Sequence, residues 1–311
     1  MASMAHPLLT SATRELIEAA VSSHLGRSWQ VTTWTDLAER SSHPALVLRG
    51  DGFDVFAKLA DQAEAAARAE NELAGLRLIG ELSGVAVPVP IADGRLDLPD
   101  GSAMLIFEAL DECIDRRPED WRAIGRTLAS IHEVPGEIFG GTTDGFFGPL
   151  RQDNRPVDSN TWAEFYAVRR VLPWLRTARD ADAIDAATAA RVEKLTELLP
   201  GLIGSEPSPR LLHGDAQHHN FVSTPRGAVA IDAAPYFGHP ELDLALLDYF
   251  SPVPPQTWEA YREIRAIDPG FAERRELWRI FAYLAILTVD DGGDFGRAFC
   301  TRLDDALDHY L

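Results

Sequence analysis

Cysteine is nearly absent: in 311 residues only Cys113 and Cys300 occur. Two thiols cannot build the disulfide framework of a small secreted protein, so they read as separate reduced thiols in a cytoplasmic chain. Positive charge is also in short supply, with 29 Lys and Arg against 48 Asp and Glu and a net charge of -19. A nucleic-acid binder needs a basic footprint to displace counterions from phosphates, and this balance excludes it. No apolar run is long enough to span a bilayer, and the opening MASMAHPLLTSATRE lacks the basic and apolar segments of a signal peptide. There is no internal repeat and no low-complexity tract. What is present is 46% hydrophobic residues, enough for a substantial core divided between two lobes. The acidic surface keeps such a chain dispersed and favours neutral or cationic small-molecule partners.

The first third reads as β-rich. Ser11 is placed to cap a helix in SATRELIEAAVSSHLG, where Leu16, Ile17, Ala20, Val21 and Leu25 share one face and Gly26 ends it. HPALVLRGDGFDVFAKLA gives two apolar runs around a Gly50-Asp51-Gly52 turn, a hairpin that sets Lys58 near a strand end. Ala63 to Leu82 is rich in helix formers and stops at Gly84. VAVPVPIADG and GSAMLIFEAL read as further strands, separated by the turn-prone RLDLPDG. From Glu108 onward the pattern turns helical, interrupted only by short strands at RLLHG, NFV and AVAID. The expected fold is α+β and bilobal, with a crossover near Phe107 to Asp111.

The densest chemistry lies in Leu211 to Asn220, LLHGDAQHHN. Two readings compete: a zinc cluster on His213, His218 and His219, or a phosphoryl-transfer loop on Asp215 and Asn220. Adjacent histidines rarely both point at one ion, and no helical H-x-x-x-H pair supports the first. The second requires a group to accept a hydroxyl proton, oxygen ligands for Mg²⁺, and an aligned nucleophile. Asp215 and Asn220, five apart, with Asp232 returned by the hairpin that follows, can meet those needs. The spacing equals that of the kinase catalytic loop, with Gly214 where an Arg stands. Lys58, followed by Glu70 or Glu72 on the next helix, would steady the α and β phosphates. His213 reads as a buried imidazole that holds the loop in shape. A nucleotide-binding module without catalysis need not carry Asp215, Asn220 and Asp232 together.

LLHGDAQHHN followed by AIDAAPYFGHPELDLALLDYF resembles the fructosamine (ketosamine) kinase family, a branch of the aminoglycoside-phosphotransferase-like and protein-kinase-like enzymes. FAKLA, AENELAGLRLI, IGRTLASIHEV, GPLRQDN, TWAEFYAVRRVLP and PGFAERRELWRIFAYLAIL fit as well, so the likeness covers nearly the whole chain. It implies a protein-kinase-like fold, with residues 1–108 as the β-rich ATP-binding lobe and 109–311 as the mainly helical lobe. It implies Asp215 as catalytic base, Asn220 and Asp232 as Mg²⁺ ligands, and Lys58 with Glu72, rather than Glu70, positioning ATP. Asp243 would brace the loop. Met104 to Leu110 would bind adenine, with Phe107, Glu108 and Ala109 nearest. The family's glycines between the first two strands are missing from LAERSSHPALVL, where Ser41 and Ser42 would meet the phosphates instead. Between Asp and Asn the family commonly has L-W-S-G; here Gln217, His218 and His219, after Ala216, are expected to face the acceptor. Glu241 and Asp248, with Asp290 and Asp291, would draw an amine-bearing acceptor by charge. The activity implied is ATP-dependent phosphorylation of a hydroxyl on a ketosamine-like, sugar-like or cationic substrate, and the alternative is an antibiotic phosphotransferase.

Overall fold

The computed structural model describes residues 6, 8–37, 43–60, 65–148, 150–204, 208–290 and 293–311. Helix α1 (Ser11–Leu25) begins one residue before the sequence expectation: Thr10, not Ser11, is the cap, its hydroxyl accepting the Thr13 N–H at 3.1 Å. Its buried Ile17 and Val21 lie against an antiparallel sheet of β1 (Thr33–Asp36), β2 (Ala45–Gly50), β3 (Phe53–Ala60), β4 (Pro90–Asp97) and β5 (Ala103–Glu108). The spatial order is β1-β2-β3-β5-β4. Helix α2 (Ala65–Ser83) covers the opposite face. The two-residue period of a strand shows plainly in β5. Met104 and Ile106 enter the α1 cluster, whereas Ala103, Leu105 and Phe107 enter the α2 cluster with Ile131, Leu211 and Ala233 from the chain beyond the sheet.

The fourth strand is displaced from VAVPVPIADG to Pro90–Asp97 and absorbs the Arg-Leu-Asp read as a turn. Pro88 and Pro90 have no N–H for a ladder, and Ala92 (φ 52) and Gly94 (φ 81) make an irregularity that shifts the register before Arg95.

The remainder is mainly helical. Helix α3 (Pro118–His132) is followed by a small hairpin, β6 (Gly145–Phe147) with β7 (Leu150–Gln152), not foreseen in the helical reading of this half. The stretch NTWAEFYAVRRVLPWL folds as α4 (Trp162–Tyr166), a π turn over Ala167–Val171, and the start of α5 (Leu172–Asp180). Then come α6 (Ala186–Leu202), β8 (Arg210–Leu211), β9 (Phe221–Thr224), β10 (Gly227–Ala230), β11 (Phe237–Gly238), α7 (Pro240–Leu247), α8 (Pro255–Arg262), α9 (Phe271–Val289) and α10 (Asp294–Tyr310). Trp162, Tyr166, Trp278 and Phe281 form the aromatic centre of this half. Among the described residues no helix is long and apolar enough to cross a membrane.

Helices α3 and α8 touch backbone to backbone at Gly125, where a Cβ would come 2.1 Å from the Thr257 carbonyl oxygen. Gly125→Ala should therefore force the helices apart and destabilise the protein by about 1–3 kcal/mol, read as a lower midpoint in chemical denaturation. An unchanged midpoint would contradict this contact.

Candidate active site

The segment LLHG leaves the core through β8, which pairs with β11, and turns at Gly214. Gly214 has φ +84, and a Cβ there would lie 2.0 Å from the Ala234 carbonyl oxygen. Only glycine allows that approach. The turn is held from below by Asp243 in the first turn of α7, whose carboxylate accepts the His213 N–H at 2.6 Å and the Gly214 N–H at 3.2 Å. His132 of α3 supports Asp243 in turn, through Nε2 at 3.1 Å, with its Nδ1 2.8 Å from the Tyr261 hydroxyl. Burial holds His132 below its ordinary pKa, so a neutral ring donating to Asp243 and accepting from Tyr261 satisfies all three groups. Sequence reasoning missed His132 and Tyr261. The signal for the former was a lone histidine closing an apolar helix pattern, IGRTLASIH.

Asp215 follows the turn. Its N–H donates to His213 Nδ1 at 3.3 Å, its carbonyl accepts from Asn220 Nδ2 at 2.8 Å, and its carboxylate accepts from Gln217 Nε2 at 2.8 Å. Burial pushes the Asp215 carboxyl up to about 7, against the opposing bond from Gln217, and the nearby Asp232 charge adds to the rise. The Ile231 N–H donates to the Asn220 carbonyl at 2.9 Å, and the Ala234 N–H to the His213 carbonyl at 2.9 Å. These two bonds bring Asp232 beside the loop, in the left-handed backbone region at φ 51.

Lys58 reaches the same place from the sheet. Its ammonium lies 2.6 Å from Asp232 Oδ1 and 3.0 Å from Glu72 Oε2 on α2, while Glu70 makes no such bond. Burial opposes the lysine's charge, but the two carboxylates outweigh it and hold its pKa above the ordinary value. One ammonium cannot neutralise both acids. Burial pushes Glu72 up to about 7 in spite of Lys58, whereas Asp232, the closer partner, is held below its ordinary value by that ammonium although burial works the other way.

The expected acceptor residues divide. His218 is buried as a strut: its Nδ1 is 3.1 Å from the Arg116 guanidinium and its Nε2 2.8 Å from the Ser251 hydroxyl. His219, next in a single 3₁₀ turn, is exposed. With His213 and His218 each engaged in these bonds, the imidazoles do not converge as a zinc cluster would require, and the described residues contain no group of three metal-capable side chains. Glu241 and Asp248 were expected to face the acceptor and do not have free carboxylates. Glu241 is buried, bonded to Arg274 at 2.6 Å and to Trp278 Nε1 at 2.8 Å; Asp248 lies 2.5 Å from Arg279 and 3.2 Å from Arg275. Charge on a sequence does not reveal partners 27 to 37 residues away. At the crossover, the Glu108 N–H is taken by Val89 and the Ala109 N–H by Asp54, so the sheet consumes both; Phe107 is buried. The Leu110 N–H is the next along, and no partner for it exists among the described residues. Ser41 and Ser42 lie outside the described residues.

Three distant stretches meet beneath the loop. Arg170, from the π turn, is wholly buried, 2.5 Å from Asn154 Oδ1, with its guanidinium 4.1 Å over the Tyr236 ring. This packing fixes the segment that carries Asp232 into the helical half.

A model of the fructosamine kinase family matches residues 13–310. The chain is 30% identical over 270 residues to a ketosamine-3-kinase of Mus musculus, covering 76% of this chain and 85% of that one. It is 28% identical over 246 residues to a chloroplastic protein-ribulosamine 3-kinase of Oryza sativa, covering 78% and 68%. Among solved structures, a Thermobifida fusca protein assigned as a fructosamine-3-kinase superposes with a TM-score of 0.79 at 31% identity, over 95% of this chain and 98% of that one. An aminoglycoside phosphotransferase bound to ADP and hygromycin B superposes with a TM-score of 0.63 at 16% identity, over 94% and 98%, and shares the kinase-like fold. With its antiparallel N-terminal sheet, its helical remainder and a family match along nearly its whole length, the chain belongs to the fructosamine kinase family.

Proposed function

We propose that this kinase transfers the γ-phosphoryl group of ATP to a hydroxyl of a ketosamine, with Asp215 as the proton acceptor. The supporting observation is the meeting of Lys58, Glu72 and Asp232 beside the Asp215–Asn220 loop, drawn from the sheet, α2 and the β9–β10 hairpin. The acceptor oxygen forms its bond to the γ-phosphorus, the bond from that phosphorus to ADP breaks, and the hydroxyl proton passes to the Asp215 carboxylate. Gln217 and the loop's backbone bonds aim that carboxylate. Lys58 turns its charge toward the phosphates while Glu72 keeps it in place. Asn220 and Asp232 would hold a metal through oxygen, which suits Mg²⁺, and the ion would supply neutralisation of phosphate charge. Two protein ligands suffice, because Mg²⁺ retains waters and phosphate oxygens. The adenine would sit at the crossover beside Phe107, Glu108 and Ala109, with the Leu110 N–H as its donor. Residues 1–108 form the nucleotide lobe and 109–311 the acceptor lobe in this reading. The free thiols of Cys113 and Cys300 suit a cytoplasmic enzyme.

Incubation with Mg-ATP and glycated lysine should consume ATP, whereas an aminoglycoside should not. The reverse result would move the protein to the antibiotic phosphotransferases. Acidity should matter as well. A base whose carboxyl is raised to about 7 is protonated below that pH, so kcat/KM should fall as pH drops through 7 and level off above it. A rate flat from pH 5 to 9 would show that the Asp215 carboxyl is not raised in the working enzyme. Thermodynamics runs the other way: the folded ligand-free protein keeps the Asp215 proton between its ordinary value and about 7, where the unfolded chain has lost it, so stability falls as pH rises across that window.

A further inference from the structure

Resting on the ketosamine kinase reading, we propose that Phe250 and Phe295 form an aromatic shelf that receives the amine-side substituent of the acceptor, and that it favours ketosamines of alkyl amines that bear an aromatic ring. Among the described Phe, Tyr and Trp residues only these two are exposed, at 40% and 55%, and their rings stack on each other at 6.3 Å with 24° between planes. The two outward-facing rings together form a small apolar face.

His218 sets the position of the shelf. Its ring lies 3.9 Å from that of His219 and edge-on to Trp121 at 5.3 Å, and its Nε2 meets Ser251, the neighbour of Phe250, at 2.8 Å. With Arg116 on its Nδ1, the histidine pins the crossover segment, the catalytic loop and the segment after α7 to one point. Phe250 is thus one residue from a contact with the loop that carries Asp215. The shelf is also braced from behind, since Phe295 packs on buried Phe299 at 4.9 Å and Phe250 on buried Tyr249 at 4.9 Å. Preformed faces of this kind bind without an ordering cost.

Charge points to the same occupant. Glu241 and Asp248 are engaged by Arg274, Arg275 and Arg279, and Asp294, beside Phe295, is bonded to Arg297. Glu241 and Asp248 are thereby closed to a polycation, while Asp294 stays exposed. A ketosamine carries one ammonium, which a ring face accepts, and an aromatic substituent stacks on the shelf.

The test compares fructosyl-phenylalanine with fructosyl-glycine, in turnover and in calorimetric binding. The phenylalanine adduct should have a KM about tenfold lower in the wild type, and Phe250→Ala and Phe295→Ala should remove that advantage while changing kcat and the glycine adduct by less than about twofold. Phe250→Leu, which keeps apolar volume, should lose most of the preference too, and an unchanged melting temperature shows the fold intact. Equal KM values in the wild type, or equal losses for both adducts in the variants, overturn the shelf. Should neither adduct be phosphorylated while calorimetry still shows ring-dependent binding of the phenylalanine adduct, the shelf stands and the kinase reading falls.

Discussion

Asp215→Asn should lower turnover by about 10² to 10⁴ while the enzyme still binds nucleotide. Asparagine has the same shape, and its amide oxygen can still accept from Gln217, while the backbone bonds to His213 and Asn220 do not involve the side chain. What disappears is the capacity to take a proton. The loss should therefore fall on kcat, with KM for ATP nearly constant and the melting shift caused by Mg-ATP retained. Steady-state kinetics with saturating acceptor, paired with a thermal melt, separates these quantities. Full turnover in the variant would show that Asp215 is no base, whatever its position.

Asp232→Asn should abolish Mg²⁺-dependent nucleotide binding. The asparagine keeps the left-handed backbone that position 232 adopts, which alanine would strain, so the variant tests charge alone. A nucleotide at about 100 times its Kd stabilises the wild type by roughly 2.7 kcal/mol, and this increment should vanish in the variant. The ligand-free protein should melt no lower than the wild type. Lys58 now has one carboxylate instead of two, and Glu72, freed from its like-charged neighbour, ionises more readily. A variant that kept the nucleotide increment would mean the metal is held elsewhere.

The sequence discloses these residues unequally, for physical reasons. Lys58 and an acid at 70 or 72 were legible because a hairpin turn fixes the strand and an uninterrupted run of helix formers fixes the helix; the choice of Glu72 came from the family resemblance. The Asp215–Asn220 spacing was legible as motif, because a tight loop constrains its own neighbours, whereas the bracing by Asp243 from α7 came from the family resemblance. The two histidines were not. Whether 218 or 219 turns inward depends on the hand of one 3₁₀ turn and on Arg116, some hundred residues earlier. The acids Glu241 and Asp248 looked available only because their arginines lie on α9, a helix whose contact with α7 is a tertiary fact. Local patterning likewise placed β4 too early, since Pro88 has no N–H for a ladder and the pairing starts only at Pro90.

Burial of Lys58 between Glu72 and Asp232 has a chemical consequence beyond ATP. The chain has a single further lysine, Lys194, exposed on α6. Reducing sugars condense with unprotonated, accessible ε-amines; the one in the proposed nucleotide site is kept charged and covered, and the other lies on a helix that bears none of the proposed site residues. An enzyme that handles the products of glycation thus offers that reaction almost no side-chain amine of its own, and none at the place where damage would stop it.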